Sequence, residues 1–350
     1  KNFTLTKSSS REFDLYASHT FLDNVLRGGL PVSLKTGEGH AAFNVYSRKH
    51  GDLERDYNYF FVAPTFYSQG NGNYRDVNQN RRNDVWFNAD VRSSHLINFM
   101  NLSQADGYNP LVVKGTTFTV ADKKKFTAAI IKCVAEENRD AIKKFARKNF
   151  MPGDLLKFVL QNEIRLKVAP KVFLGDVLES CRTQELADHG EGFWSDHWTY
   201  NLDLIESYFS VYPEDLKDLL LKKKVFHFYH NSTYVLPRDQ RYIVTNRGVR
   251  QYESVANGSV VARDLLRTKG GEGDVYSTNL ITKILCLIAN KASSLDPSGI
   301  GIEMEADKPN WYDALNGLPA LLGSAICETF ELKRLCLFLL DSFDELKCDD

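Results

Sequence analysis

The stretch REFDLYASHTFLDNVLRGG, residues 11–29, decides the fold class read from this sequence. Phe13, Tyr16, Ala17, Phe21, Val25 and Leu26 recur at near-helical spacing, and Gly28–Gly29 supplies the stop, so the pattern predicts an amphipathic helix over 11–27. Outward from it, the same period returns through Val85, Trp86, Val91, Leu96, Ile97 and Met100, which predicts a helix over 84–104. Further helices are expected at 171–188, 196–211, 214–230, 275–294 and 318–346. A short β-branched strand is expected at 111–119, and short strands and loops at 233–260. Residues 121–166 are rich in Lys, Ala and Glu and read as two or three small helices interrupted near Pro152–Gly153.

Between the helices lie long polar stretches. Residues 30–83 hold many Gly, Asn, Arg and Tyr with weak periodicity, and Leu295 to Pro319 is dense in Gly, Pro, Asp and Glu. Polar connections of this length inside a compact domain usually carry function. The plan predicted is mainly α: helix pairs set in a ring, with loops at one end building a pocket. The domain division expected is 1–119 as the first part of the ring, 120–170 as a helical insertion, and 171–350 as the second part.

Composition narrows the function classes. Of 350 residues, 43% are hydrophobic and 25% charged, with a formal net charge of −1. That balance lacks the strong positive charge of a nucleic-acid binder, while leaving room for a local cationic pocket. No apolar run reaches the ~18 residues a membrane span needs. The six cysteines form no CxxC pair, and several lie in apolar stretches such as Ile284–Leu287, which fits buried thiols in a reducing, cytoplasmic setting. With Lys1 first and charged residues last, the chain reads as a piece of a longer protein.

Three stretches carry groups suited to sugar chemistry. In Ser68-Gln-Gly-Asn-Gly-Asn-Tyr-Arg-Asp-Val-Asn-Gln-Asn-Arg-Arg82, Arg75 offers a planar fork of donors, Asp76 accepts, and Asn78 and Gln79 do both. The bland reading is a solvated helix start capped by Asn73. In Phe193-Trp-Ser-Asp-His-Trp-Thr-Tyr200, Trp194 and Trp198 offer flat faces for a pyranose, beside the polar Asp196 and His197; equally, the aromatics could be core and Asp196 a cap. In Gly299–Pro319, the carboxylates Glu303, Glu305, Asp307 and Asp313 crowd around Trp311, and such crowding can raise the pKa of one of them, as a general acid requires. A surface loop with scattered acids is the alternative. Zinc-ligand spacing, a GxxxxGK[ST] loop and a GxSxG elbow are all lacking.

Together these stretches resemble the inverting β-glucoside phosphorylases of the cellobiose and cellodextrin phosphorylase type. Gly72-Asn-Tyr-Arg-Asp-Val-Asn-Gln-Asn80 is similar to their G-x-R-D-x-x-Q-D stretch, Ser195-Asp-His-Trp198 to a D-D-H-x-W segment, and Trp311-Tyr-Asp-Ala-Leu-Asn316 to D-W-N-D-x-x-N. The order along the chain matches. Departures are Asn80, Asn310 and Tyr312 where the family has Asp, Asp and Asn. The resemblance implies an (α/α)6 barrel, Arg75 and Asp76 holding the sugar on the non-reducing side of the bond, and Asp313 as general acid. It also implies Gln79, Asp196, His197, Trp198 and Trp311 as substrate-binding residues.

An inverting glycosidase needs an acid and a base, whereas a phosphorylase needs only the acid because phosphate is itself the nucleophile. The expectation is therefore phosphorolysis of a β-linked gluco-oligosaccharide, with inorganic phosphate as co-substrate and neither metal nor organic cofactor. Expected partners are a β-glucan oligosaccharide and phosphate, not nucleic acid or membrane, with a homodimer allowed. Arg48, Lys49, His50 and Arg55, and likewise Arg81–Arg82, are basic runs that could hold phosphate, but most such runs are solvated faces and the phosphate ligands stay unassigned. The alternatives are an inverting hydrolase with Glu303 or Glu305 as base, and a non-catalytic sugar-binding piece.

Overall fold

The computed structural model describes residues 6–28, 31–36, 39–47, 49–50, 65–68, 71–190, 192–251, 253–258, 265–296, 298–304 and 324–347. In chain order, helix α1 (Arg11–Gly28) precedes strands β1 (Pro31–Thr36), β2 (Gly39–Ser47), β3 (Lys49–His50), β4 (Thr65–Ser68) and β5 (Asn71–Asn73). Helices α2 (Tyr74–Arg81), α3 (Asp84–Phe87) and α4 (Ser94–Asn101) lead to β6 (Val112–Val120). Four helices follow: α5 (Lys123–Cys133), α6 (Arg139–Phe145), α7 (Pro152–Gln161) and α8 (Pro170–Leu178). After β7 (Cys181–Asp188) comes α9 (Thr199–Val211), then the short strands β8 (Thr233–Val235), β9 (Tyr242–Thr245), β10 (Gly248–Gln251) and β11 (Val255–Asn257). Helix α10 (Leu280–Ala292), the pair β12 (Ile302–Glu303) and β13 (Ser324–Ala325), and helix α11 (Ile326–Leu346) complete the described chain.

The chain divides into two compact units. The first comprises 1–94 and 113–186, the second 95–112 and 187–350.

In the first unit, β1 and β2 pair antiparallel with Val32 opposite Phe43 and Leu34 opposite Ala41. The period-two alternation turns Val32, Leu34 and Phe43 to one face, where they are buried. Helices α5 to α8 close over this face, and their Phe126, Ile130, Ile142, Leu155, Phe173 and Leu174 join one continuous apolar core. Local chemistry sets the helix starts: Asp122 accepts from Lys124 N and Lys125 N at 2.9 Å, and Pro152 and Pro170 each open a helix, where a missing N–H costs nothing. Gly175 lets α8 approach β1, since a Cβ there would lie 2.1 Å from the Lys35 carbonyl oxygen. A second sheet has the order β3-β5-β6-β7.

In the second unit, Tyr108, Phe193 and Val235 form a small apolar cluster. Helices α9 and α11 are joined by Arg334, which donates to Asp203 at 3.0 Å, to Glu331 at 3.0 Å and to Glu206. Among the described residues, no helix is long and apolar enough to cross a membrane.

Several sequence expectations are corrected. The fold is not plainly an (α/α)6 barrel of mainly α character: about 50% of the described residues are helical and 21% are in strands, spread over several sheets. The helix expected at 84–104 breaks into α3, a single 3-10 turn and α4. Asn88 is extended there and turns its side chain back to Asp90 N at 3.2 Å, a local bond that competes with helix. The helix expected at 171–188 ends at Leu178. The Ser180 carbonyl then accepts from Ala121 N and Asp122 N at 3.0 Å, and the chain continues as β7 beside β6. Of the helix expected at 214–230 only the part up to Lys222 is helical, as a 3-10 turn running into a π-helix, before Phe226 exchanges backbone hydrogen bonds with Thr278 at 3.0 and 2.8 Å. Residues 31–50, read as irregular, contain strands.

Candidate functional site

In the first unit, Gly72 has φ +131, a conformation open to glycine. Asn73 then caps α2, accepting from Arg75 N at 3.0 Å. The cap sets the first turn, so Arg75 and Asp76 emerge side by side and pair through Arg75 Nε and Asp76 Oδ1 at 3.1 Å. Arg75 is buried, and Asp76 and Gln79 are half-buried. Asn80, which stands where the resembling family has Asp, donates to the Asp76 carbonyl at 2.7 Å. Of the basic runs, Arg81 is not a solvated face. It is buried, and desolvation lowers its pKa against the opposing pull of Asp84. Lys49 and His50 form β3, whose backbone lies parallel to Asn71 and Gly72. Arg48 and Arg55 lie outside the described residues.

In the second unit, the segment before α9 buries Asp196, His197 and Trp198 together. Asp196 terminates the loop: its carbonyl accepts from Thr199 N at 3.0 Å and Thr199 Oγ1 at 2.8 Å, and its Oδ2 accepts from Tyr200 OH at 3.2 Å. The rings of Trp194 and His197 stack at 5.9 Å with an interplanar angle of 10°. Upstream, His189 meets Phe193 edge-on at 4.4 Å, and burial lowers the His189 pKa, favouring the neutral imidazole. Phe193 in turn packs on Tyr108 at 5.5 Å.

The sequence reading missed the cation at this cluster. Lys291, on α10, is 2% exposed, and its ammonium lies 3.4 Å from the Tyr108 ring centroid and 5.9 Å from that of Trp198. Burial pushes it down to about 7, with Asp106, Glu328 and Asp196 drawing it back up. A signal was present. Leu280, Lys283, Ile284, Leu287 and Lys291 are the buried residues of α10, and both lysines are in phase with its apolar stripe. Glu328, in the first turn of α11, accepts from Ser195 Oγ at 3.3 Å and so ties that helix to the 195–198 segment.

Trp311 and Asp313, with Glu305 and Asp307, lie outside the described residues. Their segment is bracketed by β12 and β13, which pair antiparallel with Glu303 opposite Ser324. Glu303 itself is buried and engaged through both oxygens, by Arg238 Nη2 at 2.6 Å and by Tyr242 OH at 2.7 Å. Arg238 also donates to the carbonyls of Ser293 and Leu295 at 2.8 and 3.0 Å. This arrangement makes Glu303 an anchor for the root of the segment rather than a free base. The phenol of Tyr242 is pushed up to about 12 by its burial and by Glu303.

Of the residues singled out from the sequence, Arg75, Asp76 and Gln79 thus belong to the first unit, and Asp196, His197 and Trp198 to the second. Among the described residues, no group of His, Cys, Asp and Glu side chains is placed to hold a metal ion. No protein-family model and no curated protein matches the chain.

Proposed function

We propose that this chain serves the inverting phosphorolysis of a β-linked gluco-oligosaccharide, releasing α-glucose 1-phosphate and a shortened acceptor. The observation that carries the reading is the buried polar group of the second unit, where His197 stacks on Trp194, Lys291 lies over Tyr108 and Trp198, and Asp196 accepts from the Tyr200 hydroxyl. Flat rings beside fixed donors and acceptors are what a pyranose needs: its C–H faces pack on aromatics while its hydroxyls are paired. Three motifs in family order add the reaction type.

In this reading, Asp313 protonates the leaving glycosidic oxygen while phosphate attacks the anomeric carbon from the opposite face. The C–O bond to the acceptor breaks, the C–O bond to phosphate forms, and the configuration inverts. The engagement of Glu303 by Arg238 and Tyr242 weighs against one of the two candidate bases, Glu303 and Glu305, of a water-activating mechanism. A cytoplasmic setting is part of the proposal, since Cys133, Cys181, Cys286 and Cys336 carry free thiols.

The test is Asp313→Asn in the intact protein. Loss of the acid should slow phosphorolysis of a β-glucan by ~10²–10⁴-fold. A β-glucosyl fluoride, whose leaving group needs no proton, should be spared. Equal loss on both substrates, accompanied by a lower melting temperature, would instead make Asp313 a structural residue.

A further inference from the structure

Helix α10 buries two lysines that are treated very differently. Lys283 Nζ donates to the Ser103 carbonyl at 2.9 Å and the His227 carbonyl at 2.8 Å, above the Phe228 ring at 3.7 Å. Lys291 is equally buried, yet among the described residues its ammonium meets no hydrogen-bond acceptor, only the faces of Tyr108 and Trp198. The indole Nε1 of Trp198 is likewise buried and without an acceptor among the described residues. Ring faces compensate a desolvated ammonium only in part, and a buried N–H with no acceptor is costly. At this aromatic corner the buried indole N–H lacks an acceptor among the described residues and the ammonium beside it has only ring faces, so a further acceptor would be stabilised by both.

The charges facing Lys291 identify that acceptor's class. Asp106 and Tyr108 follow α4, Asp196 precedes α9, Arg241 precedes β9, and Glu328 opens α11. Asp106 is already engaged by Val235 N at 2.9 Å, Tyr108 N at 3.0 Å and Gln104 Nε2 at 3.1 Å. Three carboxylates against two cations leave this corner with no excess positive charge, which disfavours phosphate. A neutral polyol brings acceptor oxygens and no charge.

We propose that Lys291, as an ammonium, and Trp198 Nε1 are the donors that recognise hydroxyl groups of a pyranose bound in the second unit. The inference rests on the sugar-site reading of the 193–200 segment and adds the residue that governs its affinity. It carries a pH dependence. The unliganded lysine titrates near neutrality, being held at about 7. Hydroxyl acceptors favour its charged form, so sugar binding takes up protons and weakens as pH rises above that value.

The test follows Lys291 itself in the intact protein carrying isotopically labelled lysine, with its resonance assigned by Lys291→Arg. Sophorose, laminaribiose and cellobiose are titrated in, and inorganic phosphate separately. The expected result is that one of these sugars raises the Lys291 titration midpoint by at least about one pH unit, one unit being a tenfold preference for the ammonium form. The Lys283 signal should be unchanged. Lys291→Met should weaken that sugar ~10–100-fold, as loss of a charged hydrogen bond does, with Trp198→Phe a smaller loss in the same direction. Sugar binding that leaves Lys291 unmoved overturns the inference, as does a response to phosphate alone or to no ligand. A Lys291 response to sugar without any phosphorolysis would keep the inference and refute the proposed reaction; phosphorolysis with an unresponsive Lys291 would do the reverse.

Discussion

The β1–β2 face with α5–α8 in the first unit and the Lys291 corner of the second represent opposite solutions to burial. The first is built from Val, Leu, Ile and Phe in unbroken contact. The second unit buries Asp196, His197, Arg241, Lys283, Lys291, Glu303 and Glu328, and the apolar cluster beside Lys291 is small. Apolar burial stabilises at roughly 25 cal/mol per Å², whereas buried charge must be paired or it opposes folding. The contrast separates a region held by apolar contact from one whose buried charges depend on partners such as the Ser103 and His227 carbonyls for Lys283 and Arg238 and Tyr242 for Glu303.

The largest effects should come from breaking the apolar region. Phe173→Ala should cost about 3–5 kcal/mol in chemical denaturation, because Phe173 is fully buried at the centre of α8. Gly175→Ala should be comparably severe, since the new methyl collides with a backbone carbonyl of β1 that cannot turn aside. A cost under about 1 kcal/mol for both would mean that α8 does not pack on this sheet.

Next in size is Lys283→Met, which removes the ammonium shared by the Ser103 and His227 carbonyls, Ser103 keeping the Tyr229 N–H at 3.1 Å, and should cost about 1–3 kcal/mol. Lys291→Met strands no acceptor among the described residues, so its effect on folding should be smaller and should depend on pH. Burial holds the folded Lys291 at about 7, against an ordinary value of 10.5. Between these values the unfolded chain binds more protons, so this group makes stability rise with pH, by up to ~1.4 kcal/mol per pH unit. Denaturation between about pH 7 and 9 should show Lys291→Met with a shallower slope than the unaltered protein. The upper limit avoids the buried thiols of Cys133 and Cys181, pushed up to about 12 and about 11, which act in the opposite sense. An unchanged slope would place Lys291 in water and remove the distinction between the two lysines. The smallest effect should be Lys143→Ala, within ~0.5 kcal/mol, because its partner Asp140 is almost wholly exposed.

The elements legible from sequence were those whose apolar period stands alone. Helix α1 and strand β6 fall within a residue or so of their expected bounds, and the cores of α9, α10 and α11 lie inside the expected ranges. Strand β7 was misread because Gln184, Glu185, Leu186 and Ala187 are good helix formers, and only pairing beside β6 overrides that preference. Strands β1 and β2 were hidden by the surrounding Arg, Asn and Tyr, although Val32, Leu34 and the glycines at 37 and 39 make a hairpin signal. The ring of helix pairs is what the helical periods suggest, and the resemblance specifies it as an (α/α)6 barrel; the paired strands of both units correct it. At the candidate site, the polar segment Asp196–Trp198 is visible as a motif, whereas Lys291 is not, because a single lysine in phase with an apolar stripe belongs to no motif.

The proposed phosphorolysis is tested by incubating the intact protein with sophorose, laminaribiose and cellobiose, with and without inorganic phosphate, and quantifying the products. At least one disaccharide should yield glucose and α-glucose 1-phosphate in equal amounts, and cleavage should stop when phosphate is withheld. Release of glucose alone at a rate indifferent to phosphate, or no cleavage of any β-glucoside, would contradict it.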